Sequence, residues 1–503
     1  MGKGQRDMSL DRRALLGGLM GAAALPVWAG GPATSPRPQP RPAGGTGADA
    51  PAALADGRLE ELVTAARLGG EVSYLVARLG EGESLHERRA DVPMPPASVA
   101  KVVTALYALE HLGPEHRFET RIMRSGPVRD GQLDGDLLLV GGADPHLDTD
   151  QLGDLVAALA ATGLRRVTGR LVVVDGALPF RERLVRDQPD HVGYNPALGG
   201  LILNFNRVYL EWLPDGPGWR ATLDARGERH TAPVDVVEAR IENREGPVFA
   251  YGRRAGRDRW SVAASALSEP GSRWLPVRDP TAYAGAAFRT LARAHGIDLP
   301  AAERQGEVPP GAMVIVAHQS DPLRDILRSM LKFSTNLTAE VVGMTASRAA
   351  DLGGSASAMT LWARGALAPG LDLRDHSGLN GESRVSARDM AQVMQRAGGM
   401  RHGALLEEMM REKAVGEAAG GGQTAGARIL AKSGTMNYVS GLAGYVRGPQ
   451  DQTLAFAIFA ADLPRREAIP VVERESPKGT GPWLGRARNL QNQLLAEWAG
   501  AYL

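Results

Sequence analysis

The sequence predicts a mixed α/β protein in which one core, built from both ends of the chain, is interrupted by an insertion of different character. Three observations lead there. From Val72, "VSYLVARLGEGESLHERRADV" alternates apolar and polar residues on both sides of a Gly-Glu-Gly turn, the pattern of two strands. After Pro95-Pro96 the period changes: Val99, Val102, Val103, Leu106 and Leu109 recur at three, four and seven, one buried face of a helix. Residues 206–265 then carry many short alternating runs and turns, whereas helical patterns dominate 321–412.

Element by element, the N-terminus reads as an address. Arg12-Arg13 precede an apolar run over 14–24, and Val27-Trp28-Ala29 supply small residues where an export cleavage site needs them. Paired arginines before a modest apolar run are similar to a twin-arginine export signal, so residues 1–29 are expected to direct the chain to the periplasm. Residues 30–52, rich in Pro and Gly, read as a flexible linker. No segment approaches the length of a stable membrane span. "DGDLLLVGGADPHL", the helical "TDQLGDLVAALAATGL" and "GRLVVVDG" make a small α/β unit. The helical "TAYAGAAFRTLARAHG" follows the β-rich stretch, and the chain closes with the apolar strand "TLAFAIFAA" and a terminal helix. The expected division is a catalytic core from 53–115 and 301–503, a small α/β insert from 116–205 and 266–300, and a β-rich insert over 206–265.

Composition removes whole classes of function. A net charge of +1 gives no electrostatic case for nucleic acid. The chain has no cysteine, which excludes a thiol nucleophile, disulfides and thiolate metal sites. The histidines form no HExxH motif or close cluster, so neither a metal nor a cofactor is expected. Lysine is rare, at positions 3, 101, 332, 413, 432 and 478, so a lysine inside a motif carries weight.

Ser98 and Lys101 stand as Ser-x-x-Lys at the start of the first core helix. Residues three apart share a helix face, so the amine can reach the hydroxyl. At a helix start the Ser98 N–H has no intrahelical partner and can serve an oxyanion. The amine works as a base only if burial or a second cation lowers its proton affinity, and Lys432 could be that cation. The competing reading of Ser98 is a plain helix N-cap. A second copy, Ser329 with Lys332, lies inside a helix whose N–H groups are already bonded. Three more stretches follow: "STN" with Ser334 and Asn336, "DHSGLN" from Asp375, and "KSGT" with Lys432, Ser433, Gly434 and Thr435 running into a strand. "KGT" at 478–480 is a scrambled decoy.

The order Ser-x-x-Lys, Ser-x-Asn, Lys-Ser-Gly resembles the penicillin-recognising serine acyltransferases. With the long gap between the first two motifs, "GGADP" inside it and Asp-x-Ser-Gly-Leu after Ser-x-Asn, the chain is similar to the low-molecular-mass class C penicillin-binding proteins of peptidase S13 type, which trim peptidoglycan. The resemblance implies a β-lactamase/transpeptidase-like core, an antiparallel sheet flanked by helices. It also implies a serine DD-peptidase that cleaves peptidoglycan stem peptides through an acyl-enzyme and binds β-lactams.

Under that resemblance, Ser98 is the nucleophile and Lys101 its base. Ser334 relays a proton, Asn336 holds the substrate amide, and Lys432 binds the terminal carboxylate. The N–H groups of Ser98 and Thr435 form the oxyanion hole. Ser433 keeps the hydroxyl that threonine supplies in the commoner Lys-Thr-Gly, Gly434 keeps the strand edge clear for substrate, and Asn437 lines the same pocket. Asp144 in "GGADP" reads as a turn residue. Asp175, at the end of "VVVDG", is matched to an aspartate that holds the cross-linking diamino acid. Some relatives carry an arginine after Ser-Gly-Leu-Ser. Gly381 stands there, leaving Arg384 as the substitute. The rival readings are a β-lactamase or esterase of the same superfamily and a catalytically silent peptidoglycan-binding scaffold.

Overall fold

The computed structural model describes residues 54–413, 426–450 and 452–503. The expected signal and linker (1–29 and 30–52) lie outside them.

Helix α1 (Asp56–Ala65) leads into the hairpin of β1 (Glu71–Arg78) and β2 (Ser84–Arg88). Residues Ala97–Ala100 make a 3-10 turn that runs directly into α2 (Lys101–Leu112). The insert begins with β3 (Glu119–Arg124), the short β4 (Val128–Arg129) and β5 (Gln132–Leu133), and β6 (Leu137–Val140). Helix α3 (Thr149–Ala161), short β7 (Arg166–Val167) and β8 (Leu171–Val174) follow. Seven strands come next: β9 (Arg207–Asp215), β10 (Gly218–Arg226), β11 (Thr231–Pro233), β12 (Val237–Glu242), β13 (Phe249–Arg254), β14 (Arg257–Ala263) and β15 (Gly271–Pro276). Helix α4 (Pro280–Ala294), β16 (Ala302–Gln305) and β17 (Met313–Gln319) end the insert. The chain returns through α5 (Leu323–Phe333), α6 (Asn336–Ser347), α7 (Leu352–Ala366), α8 (Ala387–Ala397) and α9 (Ala404–Met409). It closes with β18 (Arg411–Lys413), β19 (Arg428–Met436), β20 (Val439–Arg447), β21 (Thr453–Ala461), α10 (Leu463–Glu467) and α11 (Thr480–Tyr502).

Both ends of the chain build one antiparallel sheet, ordered β18-β19-β20-β21-β1-β2. Strand β21 shows why it can be covered on both faces. Leu454, Phe456 and Ile458 join a cluster with Trp483, Leu494 and Trp498 of α11. The opposite face offers Ala455 and Ala457, small enough for α2 and α8 to approach. Strand β1, read from alternation, is buried through six consecutive residues because it sits inside the sheet rather than at its edge. Helix α2 departs further from its one-sided pattern. Every residue from Lys101 to Leu109 is buried, since α2 runs through the middle of the helical layer.

The insert carries a second sheet, β16-β8-β6-β3-β17, with α3 and α4 packed on one face. Strands β16 and β17 pair with β8 and β3, so the core resumes near residue 320 and not at 301. The β-rich part likewise runs past 265, because β15 pairs with β9. In both places pairing with a distant strand decides the boundary, and local pattern does not encode it.

Candidate active site

The turn that carries Ser98 is held in a costly conformation. Ala97 has a φ of 47°, which for a residue with a Cβ costs on the order of 1–3 kcal/mol. The approach is pinned by paired hydrogen bonds between Met94 and Val385, at 2.8 and 2.9 Å. Ser98 follows as the one partly exposed residue of the turn. No side-chain cap bond closes this turn, and its cap position is Pro96. Ser98 Oγ instead accepts from Lys101 Nζ at 2.8 Å, so the N-cap reading is set aside.

Lys101, with no exposed surface, also donates to Asn336 Oδ1 at 2.8 Å and to the Ser377 carbonyl at 2.7 Å. Asn336 opens α6, and its Nδ2 donates to the Tyr194 carbonyl at 3.1 Å. Ser334 ends α5 with a left-handed φ of 60°, which turns its hydroxyl to accept from Lys432 Nζ at 3.0 Å. Lys432 donates as well to the Ser433 carbonyl at 2.7 Å. The structure thus brings Ser98, Lys101, Asn336, Ser334 and Lys432 together from three separate segments.

Strand β19 lies beside them. Its ladder with β18 stops at Ala431, leaving residues 432–436 unpaired by β18. Gly434 faces the Ser98 turn: a Cβ there would stand 2.5 Å from the Pro96 carbonyl and 3.0 Å from the Ser98 nitrogen. The glycine is therefore demanded by close backbone approach, a different reason from keeping the strand edge clear for substrate. Ser433 and Thr435 alternate onto the exposed face.

Burial pushes the Lys101 amine down to about 8, while the carboxylates of Asp375 and Glu340 oppose that shift. Burial also carries Lys432 well below its ordinary value, with Lys101 and then Arg411 adding like-charge repulsion. Of the two causes the sequence left open, burial is the one that lowers Lys101, and the like-charge effect falls on Lys432.

Other predicted residues sit elsewhere or act differently. Asp175 accepts from Arg304 Nε at 2.8 Å and from the Thr281 hydroxyl, so an incoming amine would meet a carboxylate already engaged inside the insert. Asn437 Nδ2 donates to the Arg474 carbonyl at 2.7 Å, tying the β19–β20 turn to the segment at 470–475 and not to the lysine cluster. Asp144 does make its turn, accepting from the His146 N–H at 2.9 Å, yet it is buried. Arg384 folds back on the carbonyls of Gly381 and Ser383 at 2.6 and 2.9 Å. Arg466 fills the space instead, its Nη2 3.0 Å from where a Cβ on Gly381 would be. The decoy pair stays apart: Lys332 is exposed, its Nζ above the Phe333 ring.

Sequence reasoning missed Tyr194, Arg466, Glu340 and the Ser377 carbonyl. Only Glu340 had a usable signal, four residues after Asn336 and so on the same helix face. Tyr194 belongs to an insert loop held by Arg278, which donates to the carbonyls of Glu182, Asp190 and Asn195 at 3.2, 2.7 and 2.8 Å.

A family model described as the D-Ala-D-Ala carboxypeptidase 3 (S13) family matches residues 55–475. A D-alanyl-D-alanine carboxypeptidase of Actinomadura sp. (strain R39) is 29% identical over 475 residues, covering 86% of this chain and 88% of the relative. The crystal structure of penicillin binding protein 4 (dacB) from Haemophilus influenzae superposes with a TM-score of 0.68 at 22% identity, over 87% of this chain and 99% of that one. The same protein complexed with a novel β-lactam gives a TM-score of 0.66 at 22% identity, with the same coverage.

Proposed function

The chain belongs to the D-Ala-D-Ala carboxypeptidase 3 (S13) family, and from that premise we propose how the lysine cluster carries out serine DD-peptidase chemistry on peptidoglycan. The enzyme is a serine-type D-Ala-D-Ala carboxypeptidase. One observation carries the assignment of roles: Lys101 Nζ lies 2.8 Å from Ser98 Oγ in a water-poor setting.

In the neutral state Lys101 removes the Ser98 proton as Oγ attacks the carbonyl carbon between two D-alanines. The oxyanion is received by the N–H groups of Ser98 and Thr435. The C–N bond then breaks, and the proton taken by Lys101 reaches the leaving amine by way of the Ser334 hydroxyl. Water hydrolyses the ester and frees Ser98. Lys432 meets the terminal carboxylate from its buried side of β19, Ser433 offers its hydroxyl on the strand's exposed face, and Asn336 orients the substrate amide.

Endopeptidase cleavage of cross-links and acylation by penicillins belong to the same proposal. The β-lactam complex of the Haemophilus relative supports the second. Export by a twin-arginine route rests on Arg12-Arg13. No helix among the described residues is long and apolar enough to cross a membrane. The insert, residues 116–319, is read as the part that shapes the cleft and selects the peptide, because its Tyr194 carbonyl holds Asn336. Incubation with a peptide ending in D-Ala-D-Ala should release free D-alanine, unaffected by chelators; no release, or release that chelation stops and zinc restores, contradicts the reading.

A further inference from the structure

Behind the lysine lies a second buried layer whose groups take no part in the chemistry above. Glu340, fully buried on α6, accepts the N–H of His376 at 3.0 Å and that of Ser377 at 2.9 Å. Asp375 accepts from the N–H groups of Gly378 and Asn380, both at 2.7 Å, and from the Ser377 hydroxyl at 3.1 Å. Between them the two carboxylates hold the turn at residues 375–380, and that turn presents the Ser377 carbonyl to Lys101 at 2.7 Å. Helix α2 grips the same turn once more, Thr104 Oγ1 donating to the His376 carbonyl at 2.6 Å.

This arrangement matters for a base. A protonated Lys101 spends its three N–H bonds on Ser98, Asn336 and Ser377. A neutral amine keeps two. If those stay on the Asn336 and Ser377 oxygens, the lone pair is left facing Ser98 Oγ. The Ser377 carbonyl therefore aims the base, and the carboxylates aim the carbonyl.

We propose that Glu340 and Asp375 are positioning residues for the base: a buried carboxylate pair that fixes the Ser377 carbonyl and supplies the negative charge against which Lys101 gains and loses its proton. The proposal rests on reading Ser98 and Lys101 as nucleophile and base. The charged surroundings are simple. Helix α2 contributes Lys101 alone, α6 contributes Glu340, the turn contributes Asp375 and His376, and β19 contributes Lys432. The His376 ring faces Ser355 Oγ at 2.6 Å and is pushed down to about 3 by burial, so it stays neutral. Burial raises both carboxyls, and the charge of Asp375 adds to the shift of Glu340, which rises to about 8, so the pair gains its second charge over the same range in which Lys101 titrates.

The test is the pH profile of acylation by a labelled penicillin in the full-length protein, with Asp375→Asn and Glu340→Gln compared with wild type. Each variant takes away the second charge that the pair would gain as Lys101 titrates, so the rising limb should move to lower pH, by about one unit or more for Asp375→Asn. The plateau should fall by roughly tenfold or more, because the base is less well aimed. A structural role alone would lower the plateau and leave the limb where it was; an unmoved limb in a folded variant overturns the proposal. Where neither variant folds, Ser377→Ala removes only the hydroxyl bonds to Asp375 and to the Leu379 N–H. It must shift the limb the same way by less, and an unmoved limb there is equally decisive. Ser98→Ala is measured in parallel. Label retained in it removes the nucleophile reading and this proposal together, whereas a silent Ser98→Ala with unmoved limbs removes the carboxylate role alone.

Discussion

Lys101 can take a proton from Ser98 only as a neutral amine, and burial brings its titration down to about 8. The neutral fraction rises with pH, so acylation of the wild-type protein should climb through that region and then level off. Rates measured from about pH 6 to 10 check this, and a flat profile would mean that Lys101 is not the base. At this scale much was legible. Ser98, Lys101, Ser334, Asn336 and Lys432 each sit in a short motif, and they converge as the motifs implied. What the sequence left open was the choice between burial and a neighbouring charge as the cause of the lowered lysine; burial of α2 on all sides decides it, and full burial cannot be read from a helix with one obvious apolar stripe. The Tyr194 carbonyl was equally hidden, because a backbone oxygen has no side-chain signature.

The Ser98 turn and β19 pack closely against each other. Ala97 accepts a left-handed backbone, and Gly434 lets the strand pass against the Pro96 carbonyl. Gly434→Ala should push the turn away from the strand and slow β-lactam acylation by about a hundredfold or more, the effect of a displacement near 1 Å in a catalytic constellation. Circular dichroism should stay close to wild type, since β19 keeps its pairing with β20, while the displaced turn lowers the melting temperature. Undiminished acylation would show that the turn and strand are not in register for catalysis. Strand and helix types were legible from period alone: the β1–β2 hairpin, the α3 crossover between β6 and β8, and the terminal helix all follow their patterns. The ends of the insert were not, because β15, β16 and β17 belong to the insert only through partners distant in sequence.

Across the whole molecule the insert and core are joined by packing and by charge. Leu178, Leu184, Val185, Leu198 and Ile202 of the insert lie in the same buried cluster as α2 and α6. Arg474 pairs with Asp187 at 2.5 Å, and His191 with Glu475 at 2.6 Å, across the same junction. The loop that carries Tyr194 is thus anchored on both sides and sets Asn336 from outside the core. Asp175, matched by its strand end to a substrate ligand, closes an internal bond with Arg304; a strand end gives no information about which partners its side chain already has. Ser98 should be the single acylated serine of this assembly, and intact-mass analysis after incubation with a β-lactam checks it. One adduct is expected, lost in Ser98→Ala and retained in Ser329→Ala; an adduct that survives Ser98→Ala, or that maps to Ser329, would contradict it.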